Sequence, residues 1–407
     1  LLSFLVLQGN ATPFFSELAS AFKAAGHHVR RIAFNGGDFV FSSDAIRFHG
    51  RQEALPAFLE DIVVRERPDA IILFGDCRPV HRAATEIARA RNIGIWVFEE
   101  GYLRPGWITL EPHGVNGFSA LPRDPAVIRA RGRAPWPARQ YDPHADFLRR
   151  AVYDVSYHAL RLALTPFFPH ARFHAAIDPF VEYAGWLRDW AGRLVRKPQA
   201  AVLPTGPFML VPMQMEGDYQ LRVHSPFHSM GQALERILAS FAAHAPDTLS
   251  LVVRRHPLDP RLTDWEGLIR RRARALGVAD RVYFMADGPL EPVLEACAGV
   301  VTVNSTVGLQ ALRQNKPVKI LGQAIYEVEG LTFLGPLGRY WREACAPDAE
   351  LLDAFCRMLV QEVLVEGDFF TPEGRALAVE GSVRRILSAY ADKARNSCPS
   401  SVAVASI

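Results

Sequence analysis

No stretch of the 407 residues approaches the roughly 18–20 consecutive apolar positions that a membrane-spanning helix needs, which argues against a span. Cysteine is scarce, with Cys77, Cys297, Cys345, Cys356 and Cys398 in no CxxC pair and at no metal-ligand spacing. That argues against zinc, and an odd count in a mostly α/β chain fits a reducing cytosol. An excess of one charge is also missing. Lys and Arg total 46 against 43 Asp and Glu, so the net charge is +3 and the pI near 8.6. A nucleic-acid partner usually demands a stronger basic excess, and none is expected. No GxGxxG follows the first apolar run, which removes the dinucleotide fingerprint. No metal or cofactor is expected, and there is no internal repeat or low-complexity tract. Residues 1–7 are apolar but short, without a basic leader or cleavage site, and read as a strand rather than a signal peptide. The chain starts without Met, which leaves room for missing residues.

What is present is a soluble-protein composition, 49% hydrophobic and 22% charged, long enough for two cores. Apolar runs of four to six residues alternate with amphipathic stretches of 10–15, the pattern of βαβ units and a parallel sheet. Strands are expected at residues 4–7, 29–34, 70–74 and 93–98, with helices at 14–25, 54–66 and 80–91. Residues 122–143, rich in Pro, Arg and Ala, read as an irregular surface excursion. The pattern restarts with strands at 208–212, 250–254, 282–285, 300–303 and 318–321. Helices are expected at 146–164 and 180–194, then at 230–243, 265–276, 291–298, 307–315, 350–365 and 371–393. These elements define an α/β, GT-B-like architecture of two Rossmann-type domains facing across a cleft. The expected divisions are an N-terminal acceptor domain (1–145), a helical linker (146–206), a C-terminal sugar-nucleotide domain (207–340), terminal helices (341–395) and a tail (396–407).

Ligands of open α/β sheets sit outside the carboxyl ends of strands, and two motifs stand at such ends. Glu99-Glu100-Gly101 follows an apolar run, and one of its carboxylates is suited to act as base or nucleophile. Its continuation, Tyr102-Leu103-Arg104-Pro105-Gly106-Trp107, is too dense in aromatic, cationic and turn residues for an ordinary solvated loop. In the second half Arg254-Arg255-His256-Pro257 offers cations and an imidazole for a phosphate or a leaving group. A lone His is more often structural, and its arginine neighbours are what favour function here. Asn304-Ser305-Thr306 lies between a strand and a helix, so its hydroxyls and amides either bind an anion or simply cap the helix. Gln8-Gly9 and Asn35-Gly36-Gly37-Asp38 follow strands of the first half and are placed to bind sugar hydroxyls. Gln214 to Arg222, with Asp218 at its centre, reads as a substrate loop. Arg270-Arg271-Arg272 is a solvated helix face, or alternatively a membrane contact.

Taken in order, Gln8-Gly9, Pro13-Phe14-Phe15, Phe34 to Asp38, Glu99 to Pro105, Gln220-Leu221-Arg222, His256-Pro257 and Asn304-Ser305-Thr306 resemble capsule polysaccharide biosynthesis and export proteins of the KpsS/LipB type. The resemblance runs from residue 4 to about 335. It implies a retaining β-Kdo transferase of Gram-negative bacteria that moves Kdo from CMP-β-Kdo to a lyso-phosphatidylglycerol acceptor, which later anchors the capsule chain. The acidic, His-Pro and Ser/Thr motifs also resemble those of bacterial CMP-sialic-acid transferases. By that likeness Glu100 or Glu99 does the chemistry, while His256, Ser305 and Thr306 hold the CMP phosphate. Arg104 and Arg222 become candidates for the Kdo carboxylate. Asn10-Ala11-Thr12 departs from the expected Pro-Ile-Ser-like loop, which puts the acceptor side in doubt. The resemblance further implies a cytoplasmic protein, peripheral on the inner membrane. Thr165-Pro166-Phe167-Phe168, with Arg161 and Arg172, is the candidate contact. Two rival readings stay open: a non-catalytic partner in capsule export, and an enzyme of this fold using another nucleotide sugar.

Overall fold

The βα pattern returns successive strands alongside earlier ones, and the result is one mostly parallel sheet with an antiparallel edge and one wholly parallel sheet. The computed structural model describes all residues except 42–43, 144–146, 172–178, 196–202 and 398–407. The first sheet contains β1 (Ser3–Val6), β2 (His28–Ala33), β3 (Ile46–Arg47), β4 (Ala70–Phe74), β5 (Gly94–Glu100) and β6 (Trp107–Pro112). The second contains β7 (Phe208–Pro212), β8 (Ser250–Arg254), β9 (Val282–Met285), β10 (Gly299–Thr302) and β11 (Val318–Ile320). A last strand, β12 (Leu364–Glu366), returns to the first sheet. Their orders are β12-β6-β5-β4-β1-β2-β3 and β11-β10-β7-β8-β9.

In each sheet the first strand is central and the chain later crosses to its other side. The order therefore reverses at β1/β4 and at β7/β10. Crevices open at such reversals, outside the carboxyl ends of the strands. Central strands covered on both faces are continuously apolar, and all five residues of β4 and of β7 are buried. On one face of the first sheet Phe4, Phe14, Phe22, Phe98 and Phe369 pack with the C-terminal helix Pro372–Ser397. On the other, Leu5, Leu73 and Val97 meet the helices Leu55–Glu66 and Pro79–Ala90.

Besides short elements such as β3 and the helix Gly36–Val40, the structure departs from the sequence reading at four places. β5 runs on to Glu100, so the acidic pair ends a strand and is paired to β6, with Glu99 opposite Thr109 and Glu100 opposite Ile108. β6 itself lay hidden behind the turn residues that precede it. Residues 122–143 are no surface excursion. Asp124 caps the helix Pro125–Arg131 by accepting from the amides of Ala126 and Val127, with Pro125 at the first turn. That helix carries Ile128, fully buried, into the core of the second half. Tyr102 and Leu103 join the same core, so the chain crosses between the halves directly after the acidic motif. Finally, the helix expected at 350–365 stops at Glu362 and gives way to β12, which pairs antiparallel to β6.

The two linker helices divide their contacts. Helix Phe147–Ala163 lies on the short helix Gly36–Val40 of the first half. Helix Pro179–Val195 reaches the second half, where Trp186 Nε1 donates to Leu258 O at 3.3 Å and Arg188 donates to Arg261 O at 2.7 Å. Tyr183 joins the pair by donating to Asp154 at 2.6 Å. Arg172, part of the expected linker after residue 195, and the tail with Cys398 lie outside the described residues.

Candidate active site

Successive side chains of a strand point to opposite faces, so Glu99 and Glu100 meet different surroundings. Glu100 is part-exposed, 3.7 Å from the Arg150 guanidinium. Glu99 is drawn inward. One of its carboxylate oxygens accepts from the Glu100 amide at 3.0 Å, and the other faces Gly75 at the end of β4. Burial pushes the Glu99 carboxyl up to about 7; the Glu100 amide, Arg78 and Arg104 resist that shift, and Glu100 adds to it. A carboxyl poised near neutrality in a cleft has the property that catalytic acids, bases and nucleophiles require. Gly101 has no room for a side chain, because a Cβ there would stand 2.0 Å from Trp107 O.

Across the cleft, His256 follows β8. Its Nδ1 accepts from the Leu258 amide at 3.1 Å, so in the neutral ring the proton sits on Nε2, leaving that nitrogen as a donor. Burial first, then the Arg254, Arg104 and Arg150 charges, lower its pKa to about 4 against the pull of Asp259. His256 is thus a neutral hydrogen-bond donor at pH 7. Arg104 acts through space on Glu99, Asp218 and His256 together, which places it between the halves. Its Nε donates to Gly101 O at 2.9 Å.

Several predicted residues prove to be braces. Gln214, Asn304 and Asp218 bond one another. Gln214 Nε2 donates to Asn304 Oδ1 at 2.8 Å and to Asp218 at 3.3 Å, and the Asn304 amide returns a bond to Gln214 Oε1. Asn304 Nδ2 then donates to Gln220 O at 2.8 Å, tying the 218–224 loop over the ends of β7 and β10. Arg255 donates to Ala286 O and Asp287, steadying the turn after β9. Pro257 follows His256 in the same loop. Ser305 Oγ accepts from the Val307 amide, a local cap, while Thr306 makes no side-chain cap bond. Arg222 is exposed, with Nη2 on Glu216 O.

The presumed sugar loops of the first half are likewise committed to structure. Gln8, Asn35 and Asp38 are buried and bonded to Tyr157 of helix Phe147–Ala163. Tyr157 donates to Asp38 at 2.6 Å, and Gln8 Nε2 donates to Asp38 at 2.9 Å. Asn35 caps the Gly37 and Asp38 amides. Gly36 and Gly37 admit Leu164 and the Tyr157 ring so closely that a Cβ would overlap them. Gly9 lies as tightly against the Phe15 ring. These residues are therefore corrected from open sugar-binding loops to a buried hub that seats the linker helix.

Three residues that the sequence reading passed over stand at the end of β4: Asp76, Cys77 and Arg78. The Cys77 thiol donates to Asp76 and lies 3.2 Å from Nε2 of His224, which comes from the second half. Asp76 also accepts from the Val115 amide at 3.0 Å. The three ligand atoms lie within 4.8 Å of one another, the one group of metal-ligating type among the described residues. Hydrogen bonds account for their proximity, and burial pushes the Cys77 thiol up, so it keeps its proton. Asp76, Cys77 and His224 thus join the two halves through a buried contact. The rule that pointed to Glu99 would have found Asp76, Cys77 and Arg78, since all follow a parallel strand.

Residues 69–370 match the family described as capsule polysaccharide biosynthesis protein. The chain is 33% identical over 381 residues to the Escherichia coli capsule polysaccharide export protein KpsS, covering 90% of this chain and 96% of that protein. It is 32% identical over 392 residues to the capsule polysaccharide modification protein LipB of Neisseria meningitidis serogroup B, covering 90% and 91%. A solved Thermosulfurimonas dismutans KpsC, described as a beta Kdo 2,7 transferase, aligns with 95% of this chain and 99% of its own at 14% identity. Its TM-score of 0.46 is too low to bear on function.

Proposed function

The chain belongs to the capsule polysaccharide biosynthesis family, and from that premise we propose that it is a retaining β-Kdo glycosyltransferase. Its donor is CMP-β-Kdo and its acceptor a (lyso)phosphatidylglycerol, so the product starts the linker of a capsule chain. The observation that carries this reading is Glu99, a carboxyl group desolvated in an interdomain cleft and poised near neutrality. Burying it costs stability. Glu111, raised as far, is held by Tyr102 and Ser119, whereas Glu99 accepts only from the Glu100 amide among the described residues. A scaffold that only presented surfaces would have no use for that cost.

Retention of configuration requires either attack by a carboxylate on the anomeric carbon or departure and attack on the same face. On the first route a Glu99 oxygen bonds to Kdo C2 as the C2–O bond to CMP breaks, and the phosphate takes the electron pair. The acceptor hydroxyl then bonds to C2, the ester electron pair returns to the Glu99 carboxylate, and the hydroxyl proton passes to water. On the second, the same carboxylate stabilises an oxocarbenium-like centre. In both, His256 Nε2–H and the Ser305 and Thr306 hydroxyls stabilise the charge that develops on the phosphate. No metal is assigned a role, because the donor is already activated and CMP carries one phosphate.

CMP, UDP and CDP are to be added separately while the melting temperature is followed. The expected result is a rise with CMP alone, lost in His256→Ala. A UDP-selective rise would discard the donor, and no rise with any nucleotide would favour the export-partner reading.

No helix among the described residues is long and apolar enough to cross a membrane. An acyl-chain acceptor therefore calls for a lipid-facing surface on a peripheral inner-membrane protein. Leu148, Val152, Val155 and Leu162 recur at spacings that share one face of helix Phe147–Ala163, and all are exposed, as is Phe167 beyond them. Phe168, expected in the same patch, is instead buried against Phe39 and His49. Leu162→Ser with Phe167→Ser is expected to weaken sedimentation with anionic vesicles at unchanged stability. Phe168→Ser should instead cost about 3–5 kcal/mol of stability. Undiminished vesicle binding by the double variant would remove this surface from the account.

A further inference from the structure

Arg78 ends the turn after β4, beside the strand that delivers Glu99. Its Nη1 donates to Gly9 O at 2.9 Å and to Gln8 Oε1 at 3.3 Å, and the guanidinium carbon lies 5.0 Å from the Phe74 ring centroid. One edge of the planar group is thereby fixed to the wall of the cleft. His81 steadies the turn itself, with Nδ1 2.6 Å from Gly75 O.

A desolvated guanidinium is costly unless paired. Yet among the described residues no carboxylate stands at ion-pair distance from Arg78. Glu99 and Asp38 act on it only through space, alongside Tyr157 and Tyr219, while burial pulls its pKa down. Among the described residues its remaining nitrogens, Nε and Nη2, have no bonding partner, and neither is among the sealed, unsatisfied atoms of the interior, as Nε of Arg31 and of Arg254 are. They are therefore accessible, on a half-buried residue beside the strand that carries Glu99. Arg104 and Arg222, by contrast, are exposed and already lean on carbonyl oxygens. A planar fork with one edge anchored and the other free matches two oxygens of a carboxylate or phosphate.

We infer that Arg78 receives an oxyanion of a substrate directly beside Glu99, through its free Nε and Nη2 edge. This rests on the transferase reading and narrows its substrates to those with an acid group next to the reacting atoms. Two sources fit that chemistry: the carboxylate of the keto-acid donor, one bond from its anomeric carbon, and the phosphate of the acceptor.

Steady-state transfer from CMP-Kdo to a lyso-phosphatidylglycerol separates them, using Arg78→Gln and Arg78→Lys. Arg78→Gln should lower kcat/KM on the order of 10²-fold, with the loss in KM for one substrate, and Arg78→Lys should recover part of it. A rise confined to the KM for CMP-Kdo assigns the carboxylate, and one confined to the acceptor assigns its phosphate. Active wild-type protein with unaltered constants in both variants would overturn the inference and leave the transferase reading standing. Inactive wild-type protein would instead defeat that reading. Phenylglyoxal mapping of the unaltered protein makes the result independent of how the variants fold. Arg78 should be modified in the free protein and protected by CMP-Kdo or the acceptor; absence of either modification or protection would overturn the inference.

Discussion

Glu99→Gln is expected to lower transferase activity on the order of 10³-fold or more while the protein stays folded. Gln keeps the shape of the side chain and can still accept from the Glu100 amide, but it can neither ionise nor form a glycosyl ester. Glu100→Gln should cost far less, because Glu100 is part-exposed beside Arg150. The pH profile supplies a second signature. With the Glu99 carboxyl near 7 and the ionised form reacting, kcat/KM should rise through pH 7 and level off above it. Stability moves the other way. A carboxyl whose folded pKa is raised above its unfolded value contributes stability below the unfolded value that is lost as pH rises through the folded one. From 4.5 to about 7, that loss amounts to about 3 kcal/mol at most, and less where cleft water screens the group. Glu99→Gln should therefore match the parent protein in stability below the unfolded value of 4.5 and be more stable than it at pH 8. Equal activity of the two variants, or a flat pH profile, would remove Glu99 from the chemistry.

A second large effect, on stability, is expected from Asp38→Ala. Asp38 is buried and accepts from Gln8, Tyr157 and the Phe34 amide, so its removal strands three donors in the interior. Each stranded donor costs its desolvation, and the total should reach about 3 kcal/mol or more. The loss should be local in a telling way. Tyr157 seats helix Phe147–Ala163 on the first half, so amide exchange across residues 147–163 should accelerate before it does in β1 or β4. A loss below about 1 kcal/mol with unchanged exchange would show that the hub does not hold the helix.

The fold was legible where one physical signal dominated. β4, β7 and β8 were placed from continuous apolar runs, since strands covered on both faces are apolar along their buried length. β6 was missed because the crowded turn at 101–106 obscured the alternation of Ile108 and Leu110 with Thr109 and Glu111, all four of them buried. Glu111 is tolerated there by accepting from Tyr102 and Ser119, partners that no local pattern reveals. β12 is three residues long, too short to interrupt a helical reading, and exists because β6 offers it an edge.

In the site, the strand-end rule pointed to Glu99 and His256 but could not tell a side chain open to a ligand from a brace. Asn35 and Asp38 looked ready for sugars, yet their partner Tyr157 lies 122 and 119 residues away. Gln214 and Asn304, 90 residues apart, proved to be each other's partners. Arg78 shows the converse. Its type and place are ordinary in the sequence, and what marks it is that no carboxylate among the described residues stands at ion-pair distance from its half-buried guanidinium.

The central claim is that a CMP-sugar transferase works through the Glu99 carboxylate. The most direct test is to incubate the protein with CMP-Kdo and lyso-phosphatidylglycerol and to measure the acceptor by mass spectrometry. The expected result is one Kdo added by the wild-type protein and essentially none by Glu99→Gln. No addition by folded wild-type protein, or full addition by Glu99→Gln, would contradict it.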